Sequence, residues 1–156
     1  AYHARIPLKR TVKHASRTRR ENDTLLVRAM LDDGTVGWGE GLPREYVTGE
    51  TIDTCFDLLR ETDLSQLSGS VASESEAVER LYRLRLPLPH GRRDCFGNTV
   101  RCALELAVID AVGRSRAIAA VCGSRRRGRT AATSRLRAPA RAGGVSGSPA
   151  RGTTHP

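Results

Sequence analysis

Ten arginines and no acidic residue fall between Arg114 and Pro156, the strongest single chemical feature of this 156-residue chain. Such a segment would bind nucleic acid or another polyanion non-specifically, with strong salt dependence. It has no aromatic residue for base stacking and no RGG periodicity, so the binding it suggests is one of charge alone. Other reactive groups are sparse. Glu40, in VGWGEG, could pass for a general base, but the surrounding glycines read first as a structural strand signature. His14 and His90 are solitary histidines in polar stretches. The four cysteines (Cys55, Cys95, Cys102 and Cys122) form no CxxC pair and have no His at zinc-ligand spacing. Cys55 and Cys102 fall among apolar helical positions and read as buried free thiols, which fits a reducing cytoplasm.

The elements that would position such groups are confined to the first part of the chain. Residues 1–113 carry 16 Arg and Lys against all 17 Asp and Glu, so the net charge of +9 originates in residues 114–156. All six aromatic residues precede residue 97, and 37 of the last 43 residues are Arg, Ala, Gly, Ser, Thr or Pro. A segment of that composition cannot bury enough surface to offset its conformational entropy. Residues 114–156 are therefore expected to be a disordered basic tail after a domain at 1–113. No apolar run approaches the roughly 20 residues that span a bilayer. Nothing at residues 1–10 resembles a secretory leader, so a cytoplasmic protein without a membrane segment is expected.

Within 1–113 the pattern is α+β. Alternation over 3–12 predicts a half-exposed strand, with Pro7 placing it at an edge or near its start. Residues 13–23 are polar and aperiodic and read as a loop. Residues 24–31 form a second strand, Asp32-Asp33-Gly34-Thr35 a hairpin turn, and 36–41 a third strand. The bare glycine face of that third strand permits close approach of another element, and Trp38 reads as core. A loop over 42–49 leads to a helix capped by Thr48, with Ile52, Cys55, Phe56 and Leu59 on one face. Residues 65–73 read as a Ser/Gly-rich connection. Ser73 opens a capping box and a helix that must end near Pro87. The last helix runs from Asn98 as N-cap to Gly113 as stop. Its Cys102, Leu106 and Ile109 form a second apolar face, which this short chain has little to cover.

Strand order, GWGEG on strand three and ALELAVIDAVGR on the last helix together resemble a known family. The chain is similar to the N-terminal capping domain of the enolase superfamily, in its mandelate racemase/muconate-lactonizing enzyme branch. The match is carried by IPLKRTVKHAS, NDTLLVRAMLDDGTVGWGEGLPREYVTGE and residues 98–114, and covers residues 3–114. The resemblance implies a three-stranded antiparallel sheet followed by a helical bundle, closing over a separate (β/α) barrel. It also implies abstraction of a proton α to a carboxylate, with Mg²⁺ holding the enediolate.

The metal ligands and bases of that chemistry lie on barrel strands. The only lysines here are Lys9 and Lys13, and no acid follows Asp110. No catalytic or metal-binding residue is carried over, and the chain alone is expected to be inactive. The cap's contribution is implied to come from two loops at 14–23 and 43–49. His14, Arg17, Arg19 and Arg20 would lie in the first, where the arginines suit an anionic group on a small carboxylate substrate. Tyr46 and Val47 in the second would form an apolar wall. An arginine-rich loop is also, and often, simply a solvated one. The whole chain's 24 Arg to 2 Lys fit GC-rich coding DNA, and the tail's composition also resembles out-of-frame translation of such DNA. The expected partner is therefore a missing barrel, in cis or in trans.

Overall fold

The computed structural model describes residues 1–14, 17–123 and 134–136. Strands β1 (Tyr2–His14), β2 (Arg17–Met30) and β3 (Val36–Gly41) form an antiparallel sheet in that order. A short helix α1 (Glu45–Thr48) follows, then α2 (Ile52–Glu61) and a 3₁₀ turn (Leu64–Leu67). Strand β4 (Gly69–Val71), helix α3 (Glu74–Arg83) and the long helix α4 (Asn98–Gly123) complete the main body. A further strand, β5 (Ser134–Leu136), pairs antiparallel with β4. This is the α+β architecture expected, with β1 at an edge, one of the two placements that Pro7 allowed.

The core lies between the inner face of the sheet and the helices. Leu25 and Val27 of β2 meet Val100, Leu104, Val108 and Val112 of α4, with Leu58, Leu81 and Leu84 closing the far side. The glycines of β3 explain how closely α4 sits. A Cβ on Gly37, Gly39 or Gly41 would stand 2.1, 2.0 or 2.3 Å from the α4 backbone at Ala111, Ala103 and Thr99. Only glycine allows this approach, and the residues it meets recur at four-residue spacing along the helix. The edge of β3 is also tied to the helix, because the Trp38 N–H donates to Asp110 Oδ2 at 2.9 Å.

Several expectations change at this level. Residues 13–14 and 17–23 are strand rather than loop, since β1 and β2 pair down to His14 opposite Arg17. Most of this hairpin is wet on both faces, so it carries no apolar alternation by which a strand is recognised. Its ladder is interrupted between Pro7 and Val12, where proline offers no N–H. Thr51, not Thr48, caps α2: its hydroxyl accepts from Thr54 N, and Thr54 Oγ1 accepts from Thr51 N. The connection at 65–73 contains the 3₁₀ turn and β4. Helix α4 runs through Gly113, where nothing crowds the backbone; a single internal glycine costs only about 1 kcal/mol.

Trp38 is 45% exposed rather than buried, stacked at 5.7 Å on Tyr2. The period of two makes this necessary: if Gly37, Gly39 and Gly41 face the helix, Trp38 faces away. Cys102 is exposed, while Cys55 is buried as expected. Burial, and then the charge of Glu50, push the Cys55 thiol up to about 12. Leu106 and Ile109, 47% and 42% exposed, do leave the second face of α4 uncovered among the described residues. Of the tail, 114–123 continue α4 and 134–136 form β5. The disorder expected of 124–133 and 137–156 falls on residues outside those described.

Candidate substrate-facing cleft

Two segments far apart in sequence meet at one end of the sheet. The lower part of β2 contributes residues 18–21 and 23, and the chain after β3 contributes 43–46 and 50–52. Together they enclose a cleft of about 320 Å³. The second segment is shaped by α1, which closes on Gly49 at φ 76, a left-handed value that favours glycine.

Two interactions hold that segment in place, and neither has a local sequence signal. Arg93, from the loop before α4, donates to the carbonyls of Tyr46 (3.1 Å) and Val47 (2.7 Å). Glu50 turns inward and is fully buried. Its Oε1 accepts from the Gly97 and Thr99 amides at 3.1 and 3.2 Å, and its Oε2 from Thr99 Oγ1 at 2.7 Å. These amides are unsatisfied donors at a helix start, where negative charge is also favoured. Glu50 therefore does what Asn98 was expected to do, and Asn98 itself lies inside α4.

Arg19, Arg20 and Tyr46 all line the cleft. Arg19 lies over the Tyr46 ring with its Cζ 5.8 Å from the centroid. Val47 does not line it: the side chain is 52% exposed, and the residue contributes its carbonyl to Arg93. His14 and Arg17 sit opposite each other at the end of the hairpin, and their side chains lie outside the described residues. His90 is exposed on the loop before α4. Glu40 is exposed on the outer face of β3 and away from the cleft.

Arg44 was not anticipated. Its Nη2 donates to Asn22 Oδ1 at 3.4 Å and its Nη1 to the Pro43 carbonyl at 3.2 Å. Arg19 Nη1 donates to the same Asn22 oxygen at 3.3 Å. Burial, and then the charge of Arg19, hold Arg44 below the usual guanidinium range, partly offset by Tyr46 and Asp23. Four acids also border the cleft. Glu50 is committed to α4, Asp23 accepts from His3 at 2.7 Å, and Glu45 and Glu21 are exposed at the rim.

The chain is similar in sequence to part of several epimerases, a racemase and a synthase. No family model matches the chain. The L-Lys-D/L-Arg epimerase of Methylococcus capsulatus is 31% identical over 109 residues, covering 70% of this chain and 28% of that protein. The o-succinylbenzoate synthase of Bacillus subtilis is 28% identical over 121 residues, 75% of this chain and 30% of the relative. Among solved structures, a substrate-liganded L-Ala-D/L-Glu epimerase from Bacillus subtilis shares the fold, with a TM-score of 0.54 at 24% identity. That match covers 78% of this chain and 30% of the other. The chain thus spans less than a third of the length of the curated relatives it matches.

Proposed function

The chain carries the N-terminal capping fold of the enolase superfamily, in its mandelate racemase/muconate-lactonizing branch, and from that premise we propose that it acts as a substrate-selecting cap. In this reading a (β/α) barrel, in cis or in trans, supplies the base and the Mg²⁺ that stabilises an enediolate. The cap supplies the wall over the distal part of a small carboxylate substrate. The parent reaction is a racemisation or epimerisation, with cycloisomerisation and dehydration as the wider family alternatives. The observation that supports this most is the convergence of residues 18–23 and 43–52 on one cleft.

Among the described residues, no three of His, Cys, Asp and Glu lie close enough together to hold a metal ion. The cap's own residues therefore do not fit a metal centre, and no metal step is assigned to them. What they do is bind and enclose. Arg19 and Arg20 offer charge, Tyr46 offers a ring face, and Arg93 and Glu50 keep that segment from opening. The outer face of α4 and the Tyr2–Trp38 pair are the apolar surfaces such a barrel would cover.

The reading is tested by deuterium wash-in at the α-carbon of small carboxylates and dipeptides in D₂O with Mg²⁺. The chain alone is expected to give no incorporation, and incorporation by the purified chain would overturn its assignment as a cap. Polyanion binding through the tail rests on charge alone. Three of the tail's arginines are already engaged within the described residues: Arg114 with Asp110, Arg116 with the Ala72 carbonyl, and Arg135 with Ser70. No helix among the described residues is long and apolar enough to cross a membrane.

A further inference from the structure

Arg19 and Arg44 converge on a single neutral oxygen. Asn22 Oδ1 receives both guanidiniums, at 3.3 and 3.4 Å, distances at the long end for N–H···O bonds. Among the described residues neither arginine forms an ion pair. Arg19 Nε is buried and has no hydrogen-bond acceptor there. Two like charges held this close, one with a buried donor unsatisfied, leave bonding capacity that a single amide oxygen cannot fill. Asp23, whose charge partly offsets that of Arg44, pairs instead with His3 at 2.7 Å and Arg5 at 3.8 Å. Glu50 is spent on the α4 amides.

We propose that Arg19 and Arg44 form a two-guanidinium clamp for a carboxylate on the ligand, with Tyr46 packed against the Arg19 side. A carboxylate presents two oxygens and a full charge where Asn22 presents one oxygen and none. It can accept from Arg19 Nε and Nη2 as a side-on fork and from Arg44 Nη2 at once, while Arg19 Nη1 keeps Asn22. The inference rests on the cap reading and deepens it: the selected substrate carries a second carboxylate, remote from its reacting centre. It also makes Arg44, rather than the arginines of the hairpin alone, a residue that sets specificity.

The test uses the full chain labelled with ¹⁵N-arginine and titrated with glutarate, or with 1,5-diaminopentane as the cationic counterpart. Glutarate is expected to shift the Arg19 Nε–Hε resonance saturably, and the diamine to leave it unmoved. Arg44→Lys is expected to weaken glutarate binding at least tenfold, and Arg83→Lys, on an exposed helix face, less than twofold. Should Arg44→Lys fail to fold, Asn22→Asp serves instead. Its built-in carboxylate occupies both guanidiniums and weakens glutarate by a similar factor. Binding of the diamine in preference to glutarate, or glutarate binding indifferent to both variants, overturns the clamp. Glutarate binding lost in these variants together with α-deuteration by the chain alone keeps the clamp and removes the cap reading.

Discussion

Glu50 links the cleft to helix α4: the residue lines one and its carboxylate accepts from amides at the start of the other. Truncation to alanine leaves the Gly97 and Thr99 amides buried without an acceptor. We expect Glu50→Ala to cost about 2–4 kcal/mol in urea unfolding, and Glu50→Gln, which keeps one acceptor and the volume, clearly less. An equal loss in both would show that charge alone matters. The same buried setting keeps the Cys55 thiol protonated, so iodoacetamide at pH 8 should label exposed Cys102 and half-buried Cys95 well before Cys55. Peptide mapping reads this directly, and early labelling at Cys55 would contradict the packing. Arginines over 17–20 were legible in the sequence as a grouping suited to anions. Arg44, Arg93 and Glu50 were not, because the side chains or backbone groups that hold them lie across the fold. A residue whose role is set 47 positions away leaves no trace in local spacing.

At the scale of elements, the pairing of β3 with α4 determines the sheet's inner face. GWGEG was readable as a strand with one bare side, and that side is what α4 occupies. Placing Trp38 in the core missed the consequence of the same alternation. The strand pairing of 13–14 and 17–23 was not readable, since a strand exposed on both faces needs no apolar pattern. Gly39→Ala would put a methyl group 2.0 Å from the Ala103 carbonyl oxygen, so helix and strand must separate. We expect a loss of about 3 kcal/mol or more, seen as a lower urea midpoint; an unchanged midpoint would contradict the close packing. Asp110 joins the same two elements. The Trp38 N–H, and then Arg114, hold its carboxyl below the usual carboxylate range. Its contribution is therefore complete above the unfolded value of about 4 and is lost as pH falls through the lowered folded value. Asp110→Asn should flatten the acid limb of the stability profile below about pH 4, and leave its neutral region with only the deficit of the missing charge.

Taken whole, the molecule is a folded body close to electroneutral, followed by a strongly cationic segment. Part of that segment is built into the body through α4 and β5. The reading of a clean boundary at Gly113 rested on glycine as a helix stop, and an uncrowded glycine did not stop it. Exposed Leu106, Ile109 and Trp38 leave apolar surface on the isolated chain, so we expect it to bind a hydrophobic-surface dye and to self-associate at micromolar concentration. A dye-negative monomer would count against a barrel-covered face. The most direct test of the cap assignment is an exchange of caps. Residues 1–113 replace the matching segment of the L-Lys-D/L-Arg epimerase from Methylococcus capsulatus, and kcat/KM is measured over a panel of dipeptides with acidic, neutral and basic second residues. The account predicts an active chimaera whose preference moves by at least tenfold toward acidic second residues. A folded, active chimaera that keeps the parent's order of preference would contradict it.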